Sequence, residues 1–271
     1  MISESAILNC FQHLVDLEKD DLVIVGSGDD AAVIKSQGKD LVHSIDISKV
    51  NSHFPEGSKP QDIAYRSIAV ALSDLAAMGA CPAFISIGLT SNITDLKWYM
   101  QFTNGVEKIL NEHQLKLVGG DITNGEISVC VNVFGYAYEN NILRSTAKVG
   151  DLIYITGPLG EGRRGLEDWK NNQQTKYIKK FFNPKVDFNK SEYISKYANS
   201  CIDISDGLIK DLTRICKSSE VGAEIIYENI PITNDINDLS YGDDYKLCYT
   251  CPPDLKDNEY ISEDFCIGEI K

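Results

Sequence analysis

Six aspartates stand where an acid is out of place, at the edge or in the middle of apolar segments. Asp30 follows Asp29 in "LVIVGSGDDAAVIK", Asp46 ends "LVHSID", and Asp74 lies inside "SIAVALSDLAAMGA". Asp121 follows two glycines in "LVGGDIT", and Asp203 and Asp206 frame "CIDISDGLIKDL". Such positions are not those of solvated surface acids, and a fold that gathers this much buried negative charge needs cations to offset it. Magnesium takes oxygen ligands and commonly bridges carboxylate to phosphate, so the set points to phosphate chemistry assisted by divalent cations. Singly, each acid also has an ordinary reading: Asp206 as the cap of the helix it precedes, Asp121 as a turn residue, Asp74 as the partner of Arg66 or a lysine.

The first of these stretches has a competing reading. Gly26-x-Gly28-x-x-Ala31 follows an apolar run and Asp46 closes the next one, as in a dinucleotide fingerprint. That fingerprint works by aiming a helix N-terminus at the pyrophosphate, and the following "AAVIKSQGKD" suits a short strand rather than a helix. Two carboxylates in the turn would also repel pyrophosphate, at about 4 kcal/mol for unit charges 4 Å apart in an effective dielectric near 20. A metal-bridged phosphate removes that conflict.

Other chemistries find no support. No G-x-x-x-x-G-K-[ST] loop, protein-kinase motif set or G-x-S-x-G nucleophile turn occurs, and the four histidines (13, 43, 53, 113) lack metal spacing. Cys248 and Cys251 have the CxxC form without a second pair, and the eight cysteines are scattered through apolar stretches, which fits reduced thiols in a cytoplasmic protein. The net charge of −14 argues against a nucleic-acid or acidic-membrane partner. The start, "MISESAILNCFQHL", lacks the basic and continuously apolar parts of a signal peptide. The longest apolar region carries Asp74, Gly79 and Pro82, so it reads as a buried helix followed by a strand rather than a membrane span.

These acids need a scaffold. Ile7, Leu8, Phe11, Leu14 and Val15 predict an opening amphipathic helix. Strands are expected at 22–25, 31–34 and 41–45, a helix at 62–78, a strand at 83–90, a helix capped by Asp95 and running to 112, and strands at 115–118 and 127–136. "ENN" at 139–141 breaks the pattern, which places a domain boundary there and gives domains 1–140 and 141–271. The second half reads as helices near 160–171 and 206–217 with strands near 152–156, 200–203, 223–227, 246–250 and 265–270. The polar stretch 168–197 is expected to be mobile surface. Helices and strands that do not strictly alternate indicate an α+β fold of two α/β domains, the first with a mixed sheet and the second sandwich-like.

With its segments in this order the chain resembles the thiamine-monophosphate kinases, of the wider family that includes aminoimidazole ribonucleotide synthetase. The matching stretches are "GSGDDAAVI", "DIAYRSIAVALSDLAAMGACPAFISIGLT", "VGGDIT", "RSTAKVGDLIYITGPLG" and "IDISDGLIKDL", with a looser match in "YGDDYKLCYT". The resemblance implies ATP-dependent phosphorylation of thiamine monophosphate to thiamine diphosphate, by direct in-line transfer assisted by several Mg2+ ions. It implies a metal set of Asp30, Ser44, Asp46, Asp74, Asp121, Asp203 and Asp206, with Asp30, Asp121 and Asp206 central to catalysis. It places Asp29, Gly120, Arg144 and Ser205 at the nucleotide, and His53 and Asp243 at the thiamine phosphate. It also implies a homodimer joined through the N-terminal sheets and a nucleotide cleft between the domains. Phosphoryl transfer needs placement and charge neutralisation more than covalent help, so aspartates and magnesium suffice without a dedicated base.

Three departures bear on the acceptor side. The family's "GGEDYEL" is here Tyr241-Gly242-Asp243-Asp244-Tyr245-Lys246-Leu247, so Asp243 is one methylene shorter than the usual glutamate. "ISKVNSHF" replaces "VEGVHF" apart from its ending, and the chain closes on "FCIGEIK", before a tail that in relatives carries an aromatic residue over the thiamine. These departures leave open a catalytically reduced nucleotide-binding homologue. Another ATP-using member of the superfamily would be expected to show a reactive Cys or Lys near the N-terminus or a characteristic C-terminal cysteine, and neither is found.

Overall fold

The computed structural model describes residues 4–15, 23–25, 33–34, 38–255, 258 and 261–271. They divide into two compact units, Met1–Leu72 with Pro82–Tyr136, and Ser73–Cys81 with Ala137–Lys271.

The first unit opens with the expected helix, α1 (Glu4–Val15), and an antiparallel pair, β1 (Val23–Val25) and β2 (Val33–Ile34). Its main sheet has the order β3-β6-β4-β5, built from β3 (Leu41–Lys49), β4 (Ala80–Thr90), β5 (Lys116–Thr123) and β6 (Ser128–Ala137). β3 runs antiparallel to β6 and β4 parallel to β5, which makes the sheet mixed. A parallel pair needs a long crossover, supplied by α3 (Leu96–His113). Asp95 caps α3 by accepting the Lys97 N–H at 3.0 Å, and Tyr99, Phe102, Val106, Ile109 and Leu110 recur at helical spacing on its buried face. Gly105 has no room for a side chain, since a Cβ there would stand 2.1 Å from the Gln61 carbonyl oxygen. The remaining helix, α2 (Pro60–Ala77), belongs to the first unit as far as Leu72 and to the second from Ser73, and it is buried almost throughout from Ile63 onward.

The second unit is built on a five-stranded sheet of order β8-β10-β7-β11-β9, comprising β7 (Leu152–Ile155), β8 (Ser200–Asp203), β9 (Ala223–Ile225), β10 (Leu247–Cys251) and β11 (Phe265–Ile270). All its neighbouring pairs are antiparallel. Its helices are α4 (Glu161–Lys170), α5 (Lys176–Phe182), α6 (Phe188–Tyr197), α7 (Leu208–Ser219) and α8 (Asp238–Tyr241). Leu208, Leu212 and Ile215 of α7 lie one turn apart and join Ile153, Ile155, Ile202 and Ile267 in the core. The mixture of helices with two main sheets and a short two-stranded pair bears out the α+β expectation.

One expectation fails. The stretch 168–197 is not loose surface: it holds α5 and α6, capped by Thr175 and Asp187. Phe181, Phe182, Val186, Phe188 and Ile194 are buried, and the Ser191 hydroxyl donates to the Ala76 carbonyl at 2.7 Å. Averaged polarity hid this, because short helices bury only a few aromatic residues while their lysines stay in water. Cys248 and Cys251 lie inside β10, and all eight cysteines are free thiols.

Candidate functional site

In the first unit the acids are placed by strand register. Ser44 and Asp46 sit opposite Val133 and Val131 on β3, two residues apart and therefore on one face of the strand. Both are half-buried, while Leu41, His43, Ile45 and Ile47 on the other face are exposed. Asp121 stands on the other edge strand, β5, opposite Gly88. It is exposed, and its Oδ1 accepts the Ile122 N–H at 2.9 Å. Gly120 before it admits no side chain, because a Cβ would come within 2.5 Å of the Ile87 carbonyl oxygen. His53 lies in the turn after β3, its Nδ1 accepting the Lys49 N–H at 3.0 Å and its carbonyl accepting from Arg66 Nε at 2.9 Å. Asp29 and Asp30 fall outside the described residues.

The second unit assembles a denser group. Asp203 ends β8 at 3 % exposure, and its Oδ2 accepts the Ser73 hydroxyl at 2.6 Å. Burial first, and then the nearby Asp74 carboxylate, push the Asp203 pKa up to about 7, against the Ser73 hydrogen bond and the positive charge of Arg144. Asp74, one residue after Ser73 on α2, is half-buried, and Arg144 is exposed. The turn from β8 into α7 carries Ser205 and Asp206. Asp206 is not the helix cap; Gly207 holds that position with φ +108° and offers no side chain. Asp206 is exposed and paired, with Arg214 Nη2 at 2.5 Å and Lys210 Nζ at 3.0 Å both on its Oδ2. The lysine and arginine hold its carboxyl below the usual carboxylate range.

A second loop packs backbone to backbone on this turn. The Asp243 N–H donates to the Ser205 carbonyl at 2.9 Å and the Tyr245 N–H to the Ile204 carbonyl at 2.9 Å. The approach requires Gly242, whose φ is +81° and whose Cβ, if present, would lie 2.3 Å from the Ser205 oxygen. Asp243 and Tyr245 also take left-handed backbone, with φ of 67° and 52°. Strain of this kind persists where surrounding structure over-determines it, and it clusters at functional sites. Asp243, the substrate candidate, is thereby fixed beside Ser205, the nucleotide candidate.

The expectation of six buried acids needs correction. Among the described candidates only Asp203 is fully buried; Asp46 and Asp74 are half-buried, and Asp121 and Asp206 are exposed. Asp121 lies near the end of an edge strand and Asp206 in the turn that enters α7, both points where a core segment meets the surface, so apolar flanks on one side do not by themselves bury an acid. Among the described residues no three His, Cys, Asp or Glu side chains converge on a ready-made metal position.

Comparison with known proteins decides the family. The family described as AIR synthase related protein, N-terminal domain, matches residues 28–137. The thiamine-monophosphate kinase of Buchnera aphidicola subsp. Schizaphis graminum is 41 % identical over 253 residues, covering 86 % of this chain and 78 % of the relative. The chain belongs to the thiamine-monophosphate kinase family. The crystal structure of the thiamine-monophosphate kinase from Stenotrophomonas maltophilia K279a matches with a TM-score of 0.88 and 29 % identity, covering 99 % of this chain and 94 % of that one. A structure described as AaThiL complexed with AMPPCP and TMP matches with a TM-score of 0.81 and 27 % identity, covering 90 % and 84 %. The expected family and its kinase chemistry are therefore borne out, and the catalytically reduced reading is not favoured.

Four supporting residues of this kinase-family chain escaped the sequence reading. Ser73 holds Asp203 from a position 130 residues away, a contact that nothing local announces. Asp244 is 7 % exposed and accepts the Gly160 N–H at the start of α4 with both carboxylate oxygens, at 2.9 and 3.0 Å. Asp211 and Arg214 did carry a local signal that could have found them, an acid and a base three residues apart in the helix after "SDG".

Proposed function

We propose that this chain transfers the γ-phosphoryl group of ATP directly to the phosphate of thiamine monophosphate, giving thiamine diphosphate, with Mg2+ ions as charge carriers. The observation that carries the reading is the Asp203–Asp74–Ser73 arrangement: a buried carboxylate beside a second one, its charge disfavoured by the fold. Hard oxygen donors under mutual repulsion fit magnesium, whose positive charge would offset that repulsion.

Magnesium supplies neutralisation of the phosphates and Lewis-acid polarisation of the transferred group. The chain's own residues bind and orient. Asp46 with Ser44, Asp74, Asp121, Asp203 and Asp206 are the proposed ligands among the described residues, and Asp30 completes the set. Arg144 and Ser205 are assigned to the nucleotide, with Gly120 allowing close backbone approach and Asp29 supporting its turn. Asp243 and His53 are assigned to the thiamine monophosphate. The acceptor is a phosphate oxygen already ionised near neutral pH, so no residue must remove a proton from it.

We further propose a homodimer joined through β3. Leu41, Ile45 and Ile47 on this edge strand are 58 %, 54 % and 56 % exposed and share one face, an apolar stripe of the kind that marks an interface. We place the reaction in the cytoplasm, as the scattered cysteines suggest; among the described residues no helix is long and apolar enough to cross a membrane.

Incubation with ATP, Mg2+ and thiamine monophosphate should give thiamine diphosphate and ADP in equal amounts by chromatography. ATP and Mg2+ raising the melting temperature without any diphosphate product would refute the kinase reading. Sedimentation of Ile45→Glu checks the dimer, since a charge in an apolar interface should leave a monomer, and an unchanged sedimentation coefficient would refute the β3 interface.

A further inference from the structure

The turn that presents Asp206 is clamped from behind by two residues outside the proposed ligand set. Asp211 in the first turn of α7 has no exposed surface. Its Oδ2 accepts the Asp206 N–H at 2.9 Å, its carboxylate also serves the Ser205 N–H, and its Oδ1 accepts from Arg214 Nη1 at 2.6 Å. The other arm of the same guanidinium, Nη2, reaches Asp206 Oδ2 at 2.5 Å. One arginine thus spans two carboxylates, while one of those carboxylates holds the main chain that carries the other.

Gly207 makes such a clamp necessary. It sits at the N-cap with φ +108° and no capping side chain, so the turn lacks the usual local hydrogen bond that fixes the entry to a helix. Asp211 reaches back from inside the helix and takes over that role, much as an acid does in a capping box. The planar fork of an arginine can bridge two acceptors at fixed geometry, which an ammonium group cannot do. Arg214 and Lys210 both engage Oδ2 of Asp206.

We propose that Asp211 and Arg214 are positioning residues for Asp206: Asp211 fixes the main chain of Ser205 and Asp206, and Arg214 fixes the Asp206 carboxylate so that Oδ1 is the oxygen presented to magnesium. The inference rests on the reading of Asp206 as a metal ligand.

The test compares full-length Asp206→Asn, Arg214→Met, Arg214→Lys and Asp211→Asn with the wild type. Mn2+ is titrated into each protein in the presence of a non-hydrolysable ATP analogue, with free Mn2+ followed by electron paramagnetic resonance, and kcat and KM for thiamine monophosphate are measured in parallel. Arg214→Met should weaken Mn2+ binding about tenfold, as loss of an outer partner of a metal ligand does. Its kcat should fall while KM for thiamine monophosphate stays within about twofold, because the acceptor side is untouched. Arg214→Lys should not restore either quantity, since it keeps the charge and loses the fork. Asp211→Asn should match Arg214→Met in Mn2+ affinity and kcat; should the buried substitution fail to fold, the half-exposed Arg214 variants still decide the matter. Wild-type Mn2+ affinity and kcat in Arg214→Met, or full recovery in Arg214→Lys, would overturn the positioning proposal if Asp206→Asn loses both. Wild-type values in Asp206→Asn would instead overturn the metal reading beneath it.

Discussion

The two units hold their acids in different ways. On the first unit's sheet, Asp46 and Asp121 take their places from strand register: Asp46 by pairing opposite Val131, Asp121 by following two glycines into β5 opposite Gly88. In the second unit, Asp203 sits in the protein interior against Ser73, and Asp206 is held by Arg214, which is held in turn by Asp211. A strand-borne acid at the surface costs the fold little and can be removed without structural consequence. An acid buried beside another acid stores unfavourable charge, and the fold must compensate through packing elsewhere. One protein therefore contains both a site that stability tolerates and a site that stability opposes.

The sharpest way to break this contrast is to neutralise one acid from each side. Asp203→Asn keeps an oxygen for the Ser73 hydroxyl and removes the repulsion with Asp74. Turnover should fall by about 10²–10³-fold, the range seen when a group that stabilises transition-state charge is lost. The melting temperature at pH 8 should nevertheless rise, by about 2–4 °C for each kcal/mol of repulsion relieved in a chain of this size. Asp121→Asn should lose a comparable share of turnover while melting within about 1 °C of the wild type, because exposed substitutions usually stay within about 0.5 kcal/mol. Activity assays and calorimetry on the pair check this, and a melting point lowered by Asp203→Asn would erase the distinction between the units.

How far the sequence exposed these two arrangements follows from the range of the interactions. α3 was legible from Asp95 and a run of apolar residues at helical spacing, both local signals, and β8 with α7 was legible from "CIDISDGLIKDL" for the same reason. β3 outran its expected end at 45 and continued to Lys49, because Ile45 and Ile47 point outward and blur the polar-out alternation that marks a half-buried strand. α5 and α6 were masked by their lysines. The acids on the strands could be named from their flanks, but the hold of Ser73 on Asp203, the backbone contact of Asp243 with Ser205 and the left-handed Tyr245 depend on long-range packing. No local pattern encodes them. Burial of the acids was over-read, since a flank reports the segment and not the point where it meets the surface.

A second perturbation strikes the loop contact that only the second unit possesses. Gly242→Ala must place a Cβ 2.3 Å from the Ser205 oxygen at a backbone φ of +81°. Both the overlap and the left-handed backbone are penalised, the latter by about 1–2 kcal/mol for a residue with a side chain. The variant should lose roughly 2–4 kcal/mol of stability by denaturant titration, in the upper range for single substitutions. The loop from 241 to 245 must then lift from the turn at 204–207, so KM for thiamine monophosphate should rise through displacement of Asp243. Gly38→Ala in the first unit has a similarly positive φ of 71° but open space around it, and it should cost about 1 kcal/mol without any change in KM.

The smallest expected effect tests the stored charge through pH. Asp244 carries a pKa pushed up to about 7 by burial, against the Gly160 and Gly162 N–H groups that favour its ionised form. A carboxyl whose folded value lies above its unfolded value of 3.8 binds its proton more tightly in the native state. Its contribution to stability is therefore fully present below about pH 4, declines as the pH climbs, and is lost above about pH 7. The span corresponds to at most about 4 kcal/mol. Asp244→Asn retains one acceptor for the Gly160 N–H and cannot ionise. Other groups, Asp203 included, titrate in both proteins, so the difference between wild type and variant isolates Asp244. The wild type should exceed the variant most at pH 5, and the gap should narrow or reverse by pH 8, with chemical denaturation at both values as the measurement. A gap that stays constant would mean that Asp244 is ionised throughout and that the helix N-terminus alone repays its burial, which would move it from the opposed acids to the tolerated ones.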